Sequence, residues 1–305
     1  MQTLVIDSLL TAVGIVLIGF AAKQVRLIGT QGGAYLSQIV MNITLPLLLL
    51  SSFTFTLNWE IAQQSAVIFV VAVAALSSVI IISRIFGKLA GDRPDHLPAL
   101  RFLLIFGNTT FVGFPLCFLF YGEEGLFLAT IYNLVHMGFM WTYGINLFTK
   151  AKSSMDSFRH LVKEPAIWAI LISIIFVMAS IELPGPVFKI FNMVGSTTIP
   201  LSFLLVGVML NFAVIKGSQL PVMLITVVLR MILIPLLLLL VLKFFQVSNL
   251  VTGVSVIMLG TPSAVLASAF AEKFGGNHEL AAAGVLITTM AAALSLPLLI
   301  ALMGV

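Results

Sequence analysis

Residues 106–126 read FGNTTFVGFPLCFLFYGEEGL, and residues 256–270 read VIMLGTPSAVLASAF. Each is a long apolar run with a proline near its middle, Pro115 and Pro262, and with glycine and small hydroxyl or amide residues just before it. A proline within a helix removes one backbone donor and clashes with the preceding turn, so the helix kinks or breaks there. In a bilayer the freed backbone groups are tolerated only where protein covers them or where they line a polar cavity. Two such interruptions in corresponding halves of one chain are the sequence sign of a transporter's substrate site.

The rest of the chain supports a membrane setting. Of 305 residues, 60% are hydrophobic and 9% charged, and the mean hydropathy is +1.18. Soluble chains carry about a quarter charged residues. No polar stretch is long enough for a soluble catalytic or nucleic-acid-binding domain. Cys117 is the only cysteine, which excludes an intrachain disulfide. The first apolar run has no Lys or Arg before Lys23, so it is not expected to be a cleaved signal.

A spanning helix needs about 20 apolar residues. Ten such segments are expected, at roughly 3–28, 33–53, 61–88, 98–120, 124–148, 163–181, 186–211, 219–245, 250–272 and 278–302. Twelve of the fifteen Lys and Arg residues follow the odd-numbered segments. The positive-inside rule then places those loops in the cytoplasm and both termini outside, which for a bacterial cell is the inner membrane. The charged connection 149–164 divides the chain into halves, 1–150 and 151–305, of five segments each. NITLPLLLL (42–50) resembles STTIPLSFL (196–204), and Glu124 to Asn133 has the spacing of Glu279 to Thr288. An odd number of helices per copy inverts the second copy. The expected fold is therefore all-α, two inverted five-helix repeats with segments four and nine broken, an architecture suited to alternating access.

Broken helices present half-helix N-termini with free N–H groups and about half a positive charge each. Such ends bind carboxylates without a cationic side chain. Asn108, Thr109, Thr261 and Ser263 are the expected contacts to a small organic anion, beside Pro115 and Pro262. The bland alternative is that the prolines only kink their helices and the hydroxyls bond back to the preceding turn. Asn133 and His136 in segment five are expected to close the pocket. His136 either carries a proton, as its reference pKa near 6.5 allows, or serves as a neutral hydrogen-bonding group. Asn42, next to Pro46, is a secondary candidate, since an amide in lipid must face protein or water; helix packing is the alternative. Arg230, five residues before Pro235, is another. It attracts an anion, bonds carbonyls freed by Pro235, or snorkels to the interface.

No Asp or Glu lies deep in any segment, which argues against a bare metal cation as cargo. No nucleotide loop, metal-ligand cluster or nucleophile with a triad is present, so no enzyme, metal or cofactor is expected. Coupling to H+ or Na+ is left open.

Three stretches carry a family resemblance: MNITLPLLLLSSF (41–53), FGNTTFVGFPLCFLFYGEEGLFLATIYNLVHMGFMWTYGINLF (106–148) and TPSAVLASAFAEKFGGNHELAAAGVLITT (261–289). They resemble the auxin efflux carrier family, which includes plant PIN carriers and bacterial malate-permease-like proteins. The resemblance implies secondary transport of a small organic anion, a mono- or dicarboxylate such as malate or an auxin-like acid. It also implies a fold similar to bile-acid symporters and sodium–proton antiporters, with helices four and nine crossing at Pro115 and Pro262. A moving bundle is implied to shift against helices one, two, six and seven, and a homodimer is an allowed assembly. The plant carriers' long central loop is absent here. Their helix-three carboxylate has no counterpart either, because segment three offers Ser77, Ser78 and Ser83. The competing readings are a membrane sensor or a channel on the same scaffold.

Overall fold

The computed structural model describes residues 2–29, 31–52, 59–89, 96–149, 165–178, 181, 183–214 and 220–304. Most of the connection at 149–164, and with it the boundary between the halves, lies outside the described residues. So do Arg93, Lys150, Lys152, Arg159, Lys163 and Lys216.

The described chain is helical, without strands. It comprises α1 (Gln2–Gln24), α2 (Gly32–Ile39), α3 (Leu45–Ser52), α4 (Trp59–Leu89), α5 (Leu97–Ile105), α6 (Phe114–Phe139), α7 (Ile145–Phe148), α8 (Pro165–Met178), α9 (Gly185–Gly195), α10 (Thr198–Met209), α11 (Leu220–Val227), α12 (Ile234–Phe244), α13 (Asn249–Gly260), α14 (Leu266–Phe274) and α15 (His278–Met303). Wide π-type turns at Val40–Thr44, Thr109–Gly113 and Val228–Leu233 each lead into Pro46, Pro115 or Pro235. A proline ring pushes away the carbonyl one turn earlier, and an extra residue in the turn relieves that clash.

Among the described residues, six helical stretches are long and apolar enough to cross a bilayer, where ten were expected over the whole chain: Gly32–Ser52, Trp59–Phe86, Thr109–Phe148, Gly185–Met209, Leu220–Phe244 and His278–Met303. Leu9–Gln24 and Asn249–Gly260 are apolar but shorter. The difference has physical causes. The break after Ile105 leaves α5 with only nine residues, and the break after Gly260 leaves α13 with twelve and α14 with nine. The 40-residue stretch Thr109–Phe148 is interrupted at Gly122, whose φ of 61° and ψ of −149° only glycine adopts readily.

Packing sorts the helices into two groups. In one, α1 lies along α10, and α3 is covered by α8 and α9. In the other, α4 packs on α5 and α6, α13 on α6 and α12, and α15 on α14 and α5. The groups touch where α10 meets the turn Thr109–Gly113, where α1 meets α15, and where α3 meets α6.

Candidate functional site: the crossing of two broken helices

The centre of the second group is the crossing of two interrupted helices. After Ile105 the chain turns extended at Phe106, and after Gly260 it does so at Thr261. Pro262 enforces the second change, because the residue before proline is driven out of the helical region. The two extended pieces pair antiparallel, with Gly107 opposite Ser263. Asn108 N–H donates to Pro262 O at 2.7 Å and Ala264 N–H to Phe106 O at 2.9 Å. The sequence pointed to two breaks; that each satisfies the other's backbone is a tertiary fact it did not show.

Several of the remaining freed groups are met by named side chains, as a dry interior favours. Ser263 Oγ donates to Leu103 O at 2.8 Å, and Thr261 Oγ1 to Met258 O at 2.9 Å. Arg230 donates from Nη1 to Leu104 O at 2.6 Å and from Nε to Thr261 O at 3.1 Å. Ser263 N–H donates to Thr288 Oγ1 at 3.1 Å, Gly107 N–H to His136 Nε2 at 3.1 Å, and Phe111 N–H to Asn108 Oδ1 at 3.2 Å. Thr109 Oγ1 donates to Asn133 Oδ1 at 2.7 Å. Arg230 thus bonds carbonyls freed by the crossing, not those freed by Pro235.

An N–H can only donate, so His136 Nε2 must be the unprotonated nitrogen. Its Nδ1 faces Thr109 Oγ1 at 3.5 Å. The imidazole is therefore held as a neutral acceptor behind the crossing.

Asn108 stands apart from its neighbours. Only 6% of it is exposed, its Oδ1 caps the turn Thr109–Gly113, and its amide nitrogen has no partner among the described residues. It faces a cavity of about 230 Å³, whose other polar walls are Asn211, Ser268 and Thr289. Val265 and Ser268, from the first turn of α14, also line it. Two half-helix N-termini therefore border one cavity, and no charged side chain lines it among the described residues. The facing wall, Val206 to Leu210, belongs to α10 and its cap, so the cavity lies on the seam between the two groups. Lys23 Nζ donates to Leu210 O at 2.9 Å, placing a cation beside it.

A larger cavity of about 320 Å³ runs between α1 and α15. It is apolar, has Pro262 in its wall, and shares Val206, Leu210 and Thr289 with the first. Exposed Leu17 and Met290 at its edge place it on the lipid-facing side.

Of the residues singled out from sequence, Asn108, Thr109, Asn133, His136, Thr261, Pro262, Ser263 and Arg230 come together at the crossing. Asn108 lines the polar cavity; Asn133 and His136 are buried behind it and line neither cavity. The two prolines are not equivalent. Pro262 lies in the break itself, whereas Pro115 follows Asn108 by seven residues, in the first turn of α6. Asn42 is exposed on the outer side of the turn Val40–Thr44, away from the crossing and uncovered by the chain itself. Sequence reading missed Thr288, Thr289, Ser268 and Asn211; ordinary hydroxyls and an amide near helix ends carry no signal until the partner helix is placed.

The described chain is a helical membrane fold organised around two interrupted, crossing helices. The chain belongs to the membrane transport protein (auxin efflux carrier) family, whose profile matches residues 4–300. It is a multi-pass membrane protein. It is 22% identical over 295 residues to an uncharacterized transporter of Methanothermobacter thermautotrophicus, covering 96% of each chain. It is 24% identical over 298 residues to an uncharacterized transporter of Methanocaldococcus jannaschii, covering 93% of this chain and 94% of that one.

Proposed function

We propose that the protein is a secondary carrier of a small organic anion, a mono- or dicarboxylate, working by alternating access. The observation that carries this reading is Asn108: a buried amide whose donor has no partner among the described residues, at a cavity bordered by two half-helix N-termini and by no described carboxylate. Backbone N–H groups and helix-end charge suit a carboxylate without a lining cation. The cavity's place on the seam lets a shift of one helix group against the other change the side from which the anion is reached.

In this reading the chain crosses the membrane ten times, as two inverted sets of five, with both termini outside the cytoplasmic membrane. A helix of 40 residues extends about 60 Å, twice the hydrocarbon core, so Thr109–Phe148 supports two crossings with Gly122 between them. The short halves of the crossing pair end to end. His136, engaged as an acceptor, orients Gly107 and does not carry a proton; coupling to H+ or Na+ belongs to other groups or is absent.

The test is thermal unfolding of purified protein against mono-, di- and aromatic carboxylates and their neutral analogues, with and without sodium and across pH. A bound ligand raises stability by mass action. Stabilisation by an acid, lost in a folded Asn108→Ala variant, is the expected result. A response only to cations or neutral compounds refutes the anion reading.

A further inference from the structure

The crossing contains a fixed positive charge with no side-chain counter-charge among the described residues. Arg230 is the only Lys, Arg, Asp or Glu buried among the described residues, with 2% of its surface exposed. Its recorded partners are two backbone carbonyls, and no described carboxylate pairs with it. Gly107 makes room for it: a Cβ there would overlap Arg230 Nη2 and Thr261 Oγ1. Arginine stays ionised in proteins, and a buried charge without a counter-charge is costly.

The balance of helix ends gives that charge a meaning. Four half-helix ends meet at the crossing. The C-terminal ends of α5 and α13 carry about −0.5 each, and the N-terminal ends at Thr109 and Leu266 about +0.5 each. Arg230 bonds Leu104 O and Thr261 O, which belong to the two negative ends. Its full charge offsets that pair. The two positive ends remain, so the crossing keeps roughly one elementary positive charge; Lys23, beside the cavity, is only partly buried and is screened by solvent. Charges inside a low-dielectric core act over several ångströms with little screening, and Gly107, against Arg230, is next to Asn108.

We infer that Arg230 sets the valence of the cargo: through the crossing, without touching the substrate, it makes the site complementary to a single negative charge. This rests on the organic-anion reading and narrows it from mono- or dicarboxylates to monoanions. The loaded helix group is then close to neutral at its core and the empty one is positive. A dianion leaves an excess negative charge and a neutral molecule leaves the two positive ends unbalanced. Arg230 is thus a positioning and specificity-determining residue.

Succinate, succinamate and succinamide share one carbon skeleton and carry two, one and no negative charges at slightly alkaline pH. Indole-3-acetate and indole-3-acetamide form a second matched pair. Apparent affinities from thermal unfolding are compared for the wild-type chain, Arg230→Lys and Arg230→Gln. The expected order in the wild type is monoanion first, in both sets. Arg230→Lys keeps that order, and Arg230→Gln loses at least about tenfold of the monoanion preference over the amide. A purely structural role would lower unliganded stability in both variants and leave the order among charges unchanged. Folded Arg230→Gln with an undiminished preference overturns the inference and leaves the carrier reading standing. If Arg230→Gln does not fold, the wild-type order decides: dianion or amide first overturns the inference. No response to any acid overturns the carrier reading as well.

Discussion

At the scale of residues, the crossing is held by side chains that meet freed backbone groups, one each for Ser263 and Thr288 and two for Arg230. Thr288 is the clearest case, because its hydroxyl accepts the Ser263 N–H while donating to Gly284 O at 2.7 Å. Thr288→Val keeps the shape and removes the acceptor. An orphaned buried donor costs about 1–3 kcal/mol, so the variant should show a clearly lowered thermal midpoint in detergent; an unchanged midpoint would mean that the Ser263 N–H finds another partner. Asn108 was legible from sequence because an amide in an apolar run next to glycine has few bland uses. The roles of Arg230 and Ser263 were not, because their partners are 126 and 160 residues away. Such pairings follow from which helices meet. Asn42 lies on the exposed side of its π-type turn, which the sequence around Pro46 does not reveal.

At the scale of elements, the breaks were legible and their construction was not. Proline with small polar neighbours marks where a helix stops, but the two sites have different mechanics. Pro262 forces Thr261 into the extended form that starts the antiparallel pair. Pro115 lies seven residues past the N-cap Asn108, directly after a π-type turn that already relieves the clash of its ring. Pro262→Ala should therefore lower both thermal stability and transport more than Pro115→Ala. Equal effects would indicate that the prolines act only as kinks. The same distinction explains why segments four and nine are not single long helices: an apolar run continues across a break, whereas a helix ends at it.

At the scale of the molecule, two helix groups share a seam that holds both cavities. Val206 of α10 and Val112 of the turn Thr109–Gly113 face the larger cavity from opposite groups. The native Cys117 is buried, so a Val112→Cys, Val206→Cys pair can be cross-linked without a competing exposed thiol. A cross-link there should stop uptake into proteoliposomes, and a reductant should restore it if the groups must move; full activity of the locked protein would remove the alternating-access reading. The two-group packing was anticipated by family resemblance rather than by residue patterns, since hydropathy alone does not say which apolar faces pair.

The site at Asn108 is tested most directly by uptake of a radiolabelled organic acid, selected by its thermal stabilisation of the protein, into proteoliposomes carrying the wild type or Asn108→Ala. An anion site at the crossing predicts saturable uptake in the wild type and a loss of about tenfold or more in the folded variant, as expected when a buried polar contact to a charged group is removed. Uptake that does not saturate, or that is the same in both proteins, would contradict it.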